Sequence, residues 1–167
     1  MMDVSFPMNI ALFTTPPNAV LEYLAHEPCV DLRLLDVTQG RKVLSLDLGH
    51  PDMILIYRCP FMLPKSLYSS TRLGAYNIHP SLLPAYPGLN PWKDIFDDVE
   101  KFRERSSAPF CCGVTLHALS DSPDAGAIVC QSPFDIGLDD TINSARDKSD
   151  AMAASLLRTW LGTMMIN

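Results

Sequence analysis

An asparagine and a histidine stand two residues apart in the run Tyr76-Asn77-Ile78-His79-Pro80-Ser81-Leu82-Leu83-Pro84-Ala85-Tyr86-Pro87-Gly88. The run begins as a strand pattern, and Pro80 ends it because proline has no N–H for the ladder. Residues two apart on a strand point to the same face. Asn77 and His79 therefore project together from the strand's C-terminal end, where open α/β sheets bind ligands. A carboxamide supplies N–H donors, and an imidazole supplies a donor or a proton. That pair suits a carbonyl oxygen that gains charge and a proton that must be moved. A carboxylate is then wanted to orient and charge the imidazole. Asp124, in the glycine-bounded turn Ser122-Pro123-Asp124-Ala125-Gly126, is the best placed. On spacing alone, a strand-end histidine beside an asparagine is more often a satisfied structural residue.

Such a trio needs a sheet behind it. The apolar run Met8 to Thr14 predicts a buried strand. Thr15-Pro16-Pro17 opens a helix over Asn18 to His26, and Val30 to Val37 predicts a second strand. Thr38 to Leu48 fits neither period. Met53 to Tyr57 is a continuous apolar strand of the kind buried on both faces of a parallel sheet. Leu63 to Thr71 predicts a short helix, and Gly74 to His79 the strand that carries the pair. Asn90-Pro91 predicts a helix start with Asn90 as N-cap. Trp92, Ile95, Phe96, Val99 and Phe102 follow at helical spacing, with charged residues facing out. Cys112 to Leu119 and Ala127 to Ile136 read as strands, antiparallel to each other at one edge. A long final helix, capped by Asp139 or Asp140, carries the stripe Ile142, Ala145, Ser149, Met152, Leu156, Trp160 and Met164. Strands alternating with helices predict an α/β fold: an open, mostly parallel twisted sheet with flanking helices in one domain, residues 1–167.

Asn77 through Gly88 closely resembles the signature of the 10-formyltetrahydrofolate-dependent formyltransferase family. Cys112-Gly113-Val114-Thr115-Leu116-His117 through Asp124-Ala125-Gly126-Ala127-Ile128-Val129 resembles the same family's second motif. The resemblance runs from about Pro51 to the final helix. It implies a Rossmann-like formyltransferase fold and an enzyme that moves a one-carbon group from 10-formyltetrahydrofolate to an amine, without a metal. It also implies a catalytic set of Asn77, His79 and Asp124. Asn77 and a protonated His79 would hold the oxyanion, and Asp124 would raise the pKa of His79. By position, Phe61, Met62 and Leu63 with Leu119, Ser120 and Asp121 would line the folate pterin. Gly88 and Asn90 would face the acceptor, although positive φ and a cap also explain them. His117 reads as a structural strand residue, with a supporting place behind the catalytic set as the alternative, Trp92 and Phe96 as core, and Ser81 as a turn residue.

The chain also departs from that family. After the first strand, Thr14-Thr15-Pro16-Pro17-Asn18 has no glycine, and two prolines remove two donors, so a backbone phosphate cradle is not expected. The part before Pro51 is short by roughly one strand–helix unit. The charged helix near Pro91 to Arg105 lengthens the segment between His79 and Asp124 and would wall the acceptor side. No further domain for tRNA is expected after the final helix. These features favour a small-molecule amine, such as an amino sugar, an amino acid or a natural-product intermediate, over glycinamide ribonucleotide or tRNA. A hydrolase using the same trio, and a non-catalytic member that binds folate or a partner, remain the alternatives.

Composition bounds the rest. Lys+Arg is 13 and Asp+Glu is 19, giving net charge −6 with no basic cluster, which argues against nucleic-acid binding over a broad face. No apolar run is long enough to span a membrane. Met1 to Pro7 lacks the basic and apolar regions of a secretory signal. The five cysteines, Cys29, Cys59, Cys111, Cys112 and Cys130, lack C-x-x-C spacing. They read as reduced thiols, mostly core fillers, in a cytoplasmic protein. Trp160, Met164 and Met165 would cover the sheet or form a homodimer contact.

Overall fold

The computed structural model describes residues 7–166; the stretch Met1 to Phe6, read above for a secretory signal, lies outside them. Six strands form one sheet in the order β2-β1-β3-β4-β5-β6: β1 Met8–Thr14, β2 Val30–Asp36, β3 Met53–Tyr57, β4 Ala75–His79, β5 Phe110–Ala118 and β6 Ile128–Ile136. The first four run parallel. β5 is antiparallel to both β4 and β6. Antiparallel order was expected only between β5 and β6; its extension to β4 places β5 residues directly opposite the candidate site. Every residue of β3 is buried, and all of β1 except Asn9, so the two most apolar runs take the centre.

The helices α1 Ala19–Ala25, α3 Trp92–Arg103 and α4 Ile142–Ile166 pack mainly on one face. Val20, Leu24, Ile95, Val99, Ala145, Ala153, Leu157 and Leu161 meet Leu12, Leu55 and Ile78 there. The other face is covered by the 3-10 segment Val37–Ser45 and the short α2, Lys65–Tyr68, with Val43 and Leu63 against Phe13, Ile54 and Ile56. The 3-10 segment breaks at Gly40, φ 67°, which explains why residues 38–48 fit no single period.

Three local expectations change. In α3 the Pro91 carbonyl accepts the first helical bond, from Ile95 N–H at 2.9 Å, and no side chain caps the helix, so Asn90 is not its N-cap. In α4 the cap is Thr141, whose Oγ1 accepts from Ser144 N–H at 3.2 Å. Asp140 instead accepts from Gly137 N–H at 2.6 Å and pairs with Lys148. Among the cysteines only Cys112 is buried, and Cys29 and Cys111 are exposed. Strand alternation puts Cys111 on the outer side when Cys112 faces the core. Trp160 meets Tyr76 edge-on, ring centroids 4.8 Å apart, and Met164 and Met165 pack beside the core. The end of α4 therefore covers the sheet.

Candidate active site

Asn77 and His79 leave the C-terminal half of β4 on one face, as the period-2 rule requires. Directly across the ladder, Asn77 faces His117 and His79 faces Thr115. Thr115 is a staple: its hydroxyl donates to Ser81 O at 2.7 Å and accepts from Leu83 N–H at 3.0 Å. Gln131 Nε2 donates to Leu83 O and to Thr115 Oγ1, both at 2.9 Å. Gly113 leaves the room for this docking, since a Cβ there would lie 2.4 Å from Leu82 Cδ2. The loop from Pro80 to Gly88 is thus fixed to β5 and β6 by side chains as well as by its prolines. Ser81 is spent inside the loop, with its hydroxyl donating to Ala85 O at 2.6 Å.

The loop returns to the site twice. His79 Nε2 lies 2.8 Å from the carbonyl oxygen of Tyr86, and Gly88 N–H donates to Asp124 Oδ2 at 2.7 Å. Gly88 has φ 107°, the left-handed conformation expected for it. Tyr86 also has positive φ, 53°, which disfavours an L-residue by about 1–2 kcal/mol. Its phenol donates to Asp98 Oδ2 of α3 at 2.9 Å. That bond ties the strained residue to α3.

Asp124 enters from the turn after β5, itself at φ 51°. A Cβ on Gly126 would sit 1.7 Å from Ala118 O, so only glycine lets this turn fold back on the strand. Asp124 Oδ1 stands 3.5 Å from Asn77 Nδ2, 3.6 Å from His79 Nδ1 and 3.5 Å from His117 Nε2. Asn77 Nδ2 lies 3.1 Å from His117 Nε2, and His117 Nδ1 lies 3.0 Å from Ala118 O. A carbonyl can only accept, so in neutral His117 Nδ1 carries the proton and Nε2 accepts from Asn77. The second Asn77 N–H is held only loosely, at 3.5 Å from Asp124, and remains available to a ligand.

The same reasoning puts the proton of neutral His79 on Nε2 and leaves the Nδ1 lone pair beside Asp124. Burial pushes the His79 pKa below its ordinary value; the Tyr86 carbonyl and the Asp124 charge pull upward without winning, and His117 adds to the lowering. The resting ring is therefore neutral, and the Asp124 charge pulls in the upward direction expected from the sequence. For Asp124, burial would raise the pKa, but His117, the Gly88 N–H and His79 outweigh it and hold the carboxyl below the usual range. An NMR titration should find His79 with a midpoint below 6.5, and lower still in Asp124→Asn, where an upward pull is lost. Because the folded value lies below the unfolded one, the neutral ring contributes stability above about pH 6.5, lost as pH falls through the folded value. A midpoint above 6.5 would contradict this balance.

The trio opens into a cavity of about 930 Å³. Phe61, Met62, Leu63 and Leu119 line one side, with the Arg41 guanidinium 5.7 Å from the Phe61 ring centroid. Met62 is 43% exposed and so is a wall residue, not a core one. Gly88, Trp92, Asn143, Arg146 and Asp147 line the other side, and Trp92 is also core. Asp121 and Asn90 stand off the wall; Asp121 pairs instead with exposed Lys65 at 3.0 Å. At the foot of the second side the Tyr57 hydroxyl donates to Asp150 of α4, which also accepts from Arg58 Nη1 at 3.2 Å. Burial and the Asp150 charge drive the Tyr57 pKa far upward, so the phenol keeps its proton. Behind Thr15 the Pro16–Pro17 peptide is cis, and Asn18 uses its amide on Thr14 Oγ1 and Thr15 O while capping α1. His117, which the sequence offered as a structural residue before a site neighbour, stands within the constellation. Its signal was the antiparallel register with β4, which sets it opposite Asn77. Among the described residues, no cluster of three or more His, Cys, Asp or Glu is placed to hold a metal ion, and no helix is long and apolar enough to cross a membrane.

Comparison with known proteins agrees with this architecture. Methionyl-tRNA formyltransferase of Staphylococcus epidermidis is 30% identical over 135 residues, which are 81% of this chain and 40% of that protein. The chain thus spans well under half the length of that relative. Phosphoribosylglycinamide formyltransferase from Streptococcus pneumoniae TIGR4 superposes with a TM-score of 0.69 at 17% identity, covering 95% of this chain and 99% of that one. A sugar N-formyltransferase from Shewanella superposes with a TM-score of 0.66 at 18% identity, covering 92% and 68%. At such identities the superpositions establish the fold alone. The family model described as formyl transferase matches residues 36–160, well over half of the sequence, and the chain belongs to that family.

Proposed function

We propose that this protein transfers the formyl group of 10-formyltetrahydrofolate to the amine of a small-molecule acceptor. The observation that carries the reading is the convergence of Asn77, His79 and Asp124, from two separate segments, within 3.6 Å at a cavity of about 930 Å³. That volume suits a ligand of this size. The walls also suit the donor, with apolar Phe61, Met62, Leu63 and Leu119 for a flat ring system and the Arg41 guanidinium for an anionic tail.

The donor supplies the formyl carbon. As a free amine adds to that carbon, the loosely held Asn77 N–H meets the charge growing on the formyl oxygen. His79 Nδ1 takes the proton that the amine nitrogen loses, with Asp124 stabilising the resulting imidazolium. The imidazolium then gives that proton to the departing nitrogen, so the ring ends as it began. No enzyme nucleophile is needed.

For the acceptor, the prolines after β1 and the internally used Asn18 amide leave no backbone cradle for a phosphate there. A net charge of −6 does not favour a polyanion. The test is to incubate the protein with 10-formyltetrahydrofolate and, separately, amino sugars, amino acids, glycinamide ribonucleotide and methionyl-tRNA, with mass detection of a formyl gain. Transfer to a small amine is the expected result. Transfer to methionyl-tRNA alone would overturn the acceptor class, and rapid formate release without any amine would make the protein a hydrolase.

A further inference from the structure

We infer that Tyr86, anchored by Asp98 of α3, is a positioning residue that fixes which nitrogen of His79 is free to exchange a proton. The kinetic part of this inference rests on the proposed formyl transfer; the structural part does not. The Tyr86 main-chain carbonyl is 2.8 Å from His79 Nε2 and, as an acceptor, demands that Nε2 carry the proton. The other hydroxyl near that carbonyl, Ser81 Oγ, lies 3.4 Å away and gives its proton to Ala85 O at 2.6 Å instead. His79 is therefore the donor this carbonyl serves, and Nδ1 is left bare on the side of Asp124 and the cavity.

The carbonyl points this way because Tyr86 is held in the left-handed conformation, φ 53°. A tyrosine does not rest there unaided, and glycine would be the ordinary choice. The side chain supplies the reason for a tyrosine. Its hydroxyl reaches Asp98 Oδ2 at 2.9 Å, while Lys101 holds Asp98 Oδ1 at 2.9 Å from the next turn of α3. Burial and the Asp98 hydrogen bond push the Tyr86 phenol up to about 12, so it stays a donor through the neutral range. A chain of contacts thus runs from the charged face of α3, through one side chain and its own carbonyl, to the imidazole.

The test follows the two ring nitrogens of His79 by 15N NMR, together with formate release from 10-formyltetrahydrofolate with water as acceptor. In the unaltered protein the neutral ring shows a protonated Nε2 and a bare Nδ1. In Tyr86→Phe the two resonances draw together as both tautomers populate, and kcat for formate release falls about tenfold, the worth of one such hydrogen bond, with KM little changed. Asp98→Ala reproduces both effects from the other partner. Asp98→Asn, whose amide oxygen still accepts from the phenol, restores them, and the double variant is no worse than either single one. Unchanged nitrogen resonances in folded Tyr86→Phe and Asp98→Ala would overturn the inference. Converged resonances with unchanged formate release would support it and count instead against the proposed chemistry.

Discussion

Changing His79 to alanine should lower formyl transfer by about 10²–10⁴-fold, the range for a side chain that handles the reacting proton. Binding of 10-formyltetrahydrofolate should survive, because the wall proposed for the donor is built from Phe61, Met62, Leu63 and Leu119, on other segments. The variant removes an imidazole whose bare Nδ1 lies 3.6 Å from the Asp124 carboxylate. It also leaves the Tyr86 carbonyl and Asp124 short of a partner in a region where His79 is 4% exposed. A stability loss of about 1–3 kcal/mol is therefore expected beside the kinetic one. Turnover must be read below the melting transition, with folate affinity measured by calorimetry on the same sample. Undiminished turnover would remove His79 from the chemistry.

The second large effect is expected at Asn77. Asn77→Ala should reduce kcat about 10²–10³-fold, as for loss of one donor to a developing oxyanion. KM for donor and acceptor should move little, since the donor meets charge that exists only in the transition state. Asn77→Asp should be at least as damaging, because it places a carboxylate where negative charge must grow. Steady-state kinetics separate the possibilities: a raised KM at constant kcat would make Asn77 a ground-state binding residue.

The central strands were legible because β1 and β3 are apolar runs with few other uses. The trio was legible because two long strings around it resemble one family in the right order. What escaped depended on partners far away in sequence. His117 looked structural until β5 proved antiparallel to β4 and set it beside Asn77 and Asp124. The upward pull of Asp124 on His79 was legible from the motif, whereas the burial that outweighs it depends on the packed loop. Tyr86 read as one residue of a proline-rich loop, with nothing local to show its reach to α3. Asn90 had the composition of a cap, but the helix begins one residue later than a cap there requires.

The clasp of Tyr57 and Arg58 on Asp150 also bears on selectivity. It fastens α4 to the end of β3 beneath one wall of the cleft. Swinging the helix outward would strand a buried phenol and a carboxylate, at about 1–3 kcal/mol for each group left unpaired. The aperture on that side is accordingly gauged before any substrate arrives. On the proposed reading, discrimination there falls to the exposed side chains Asn143, Arg146 and Asp147 while the backbone stays put.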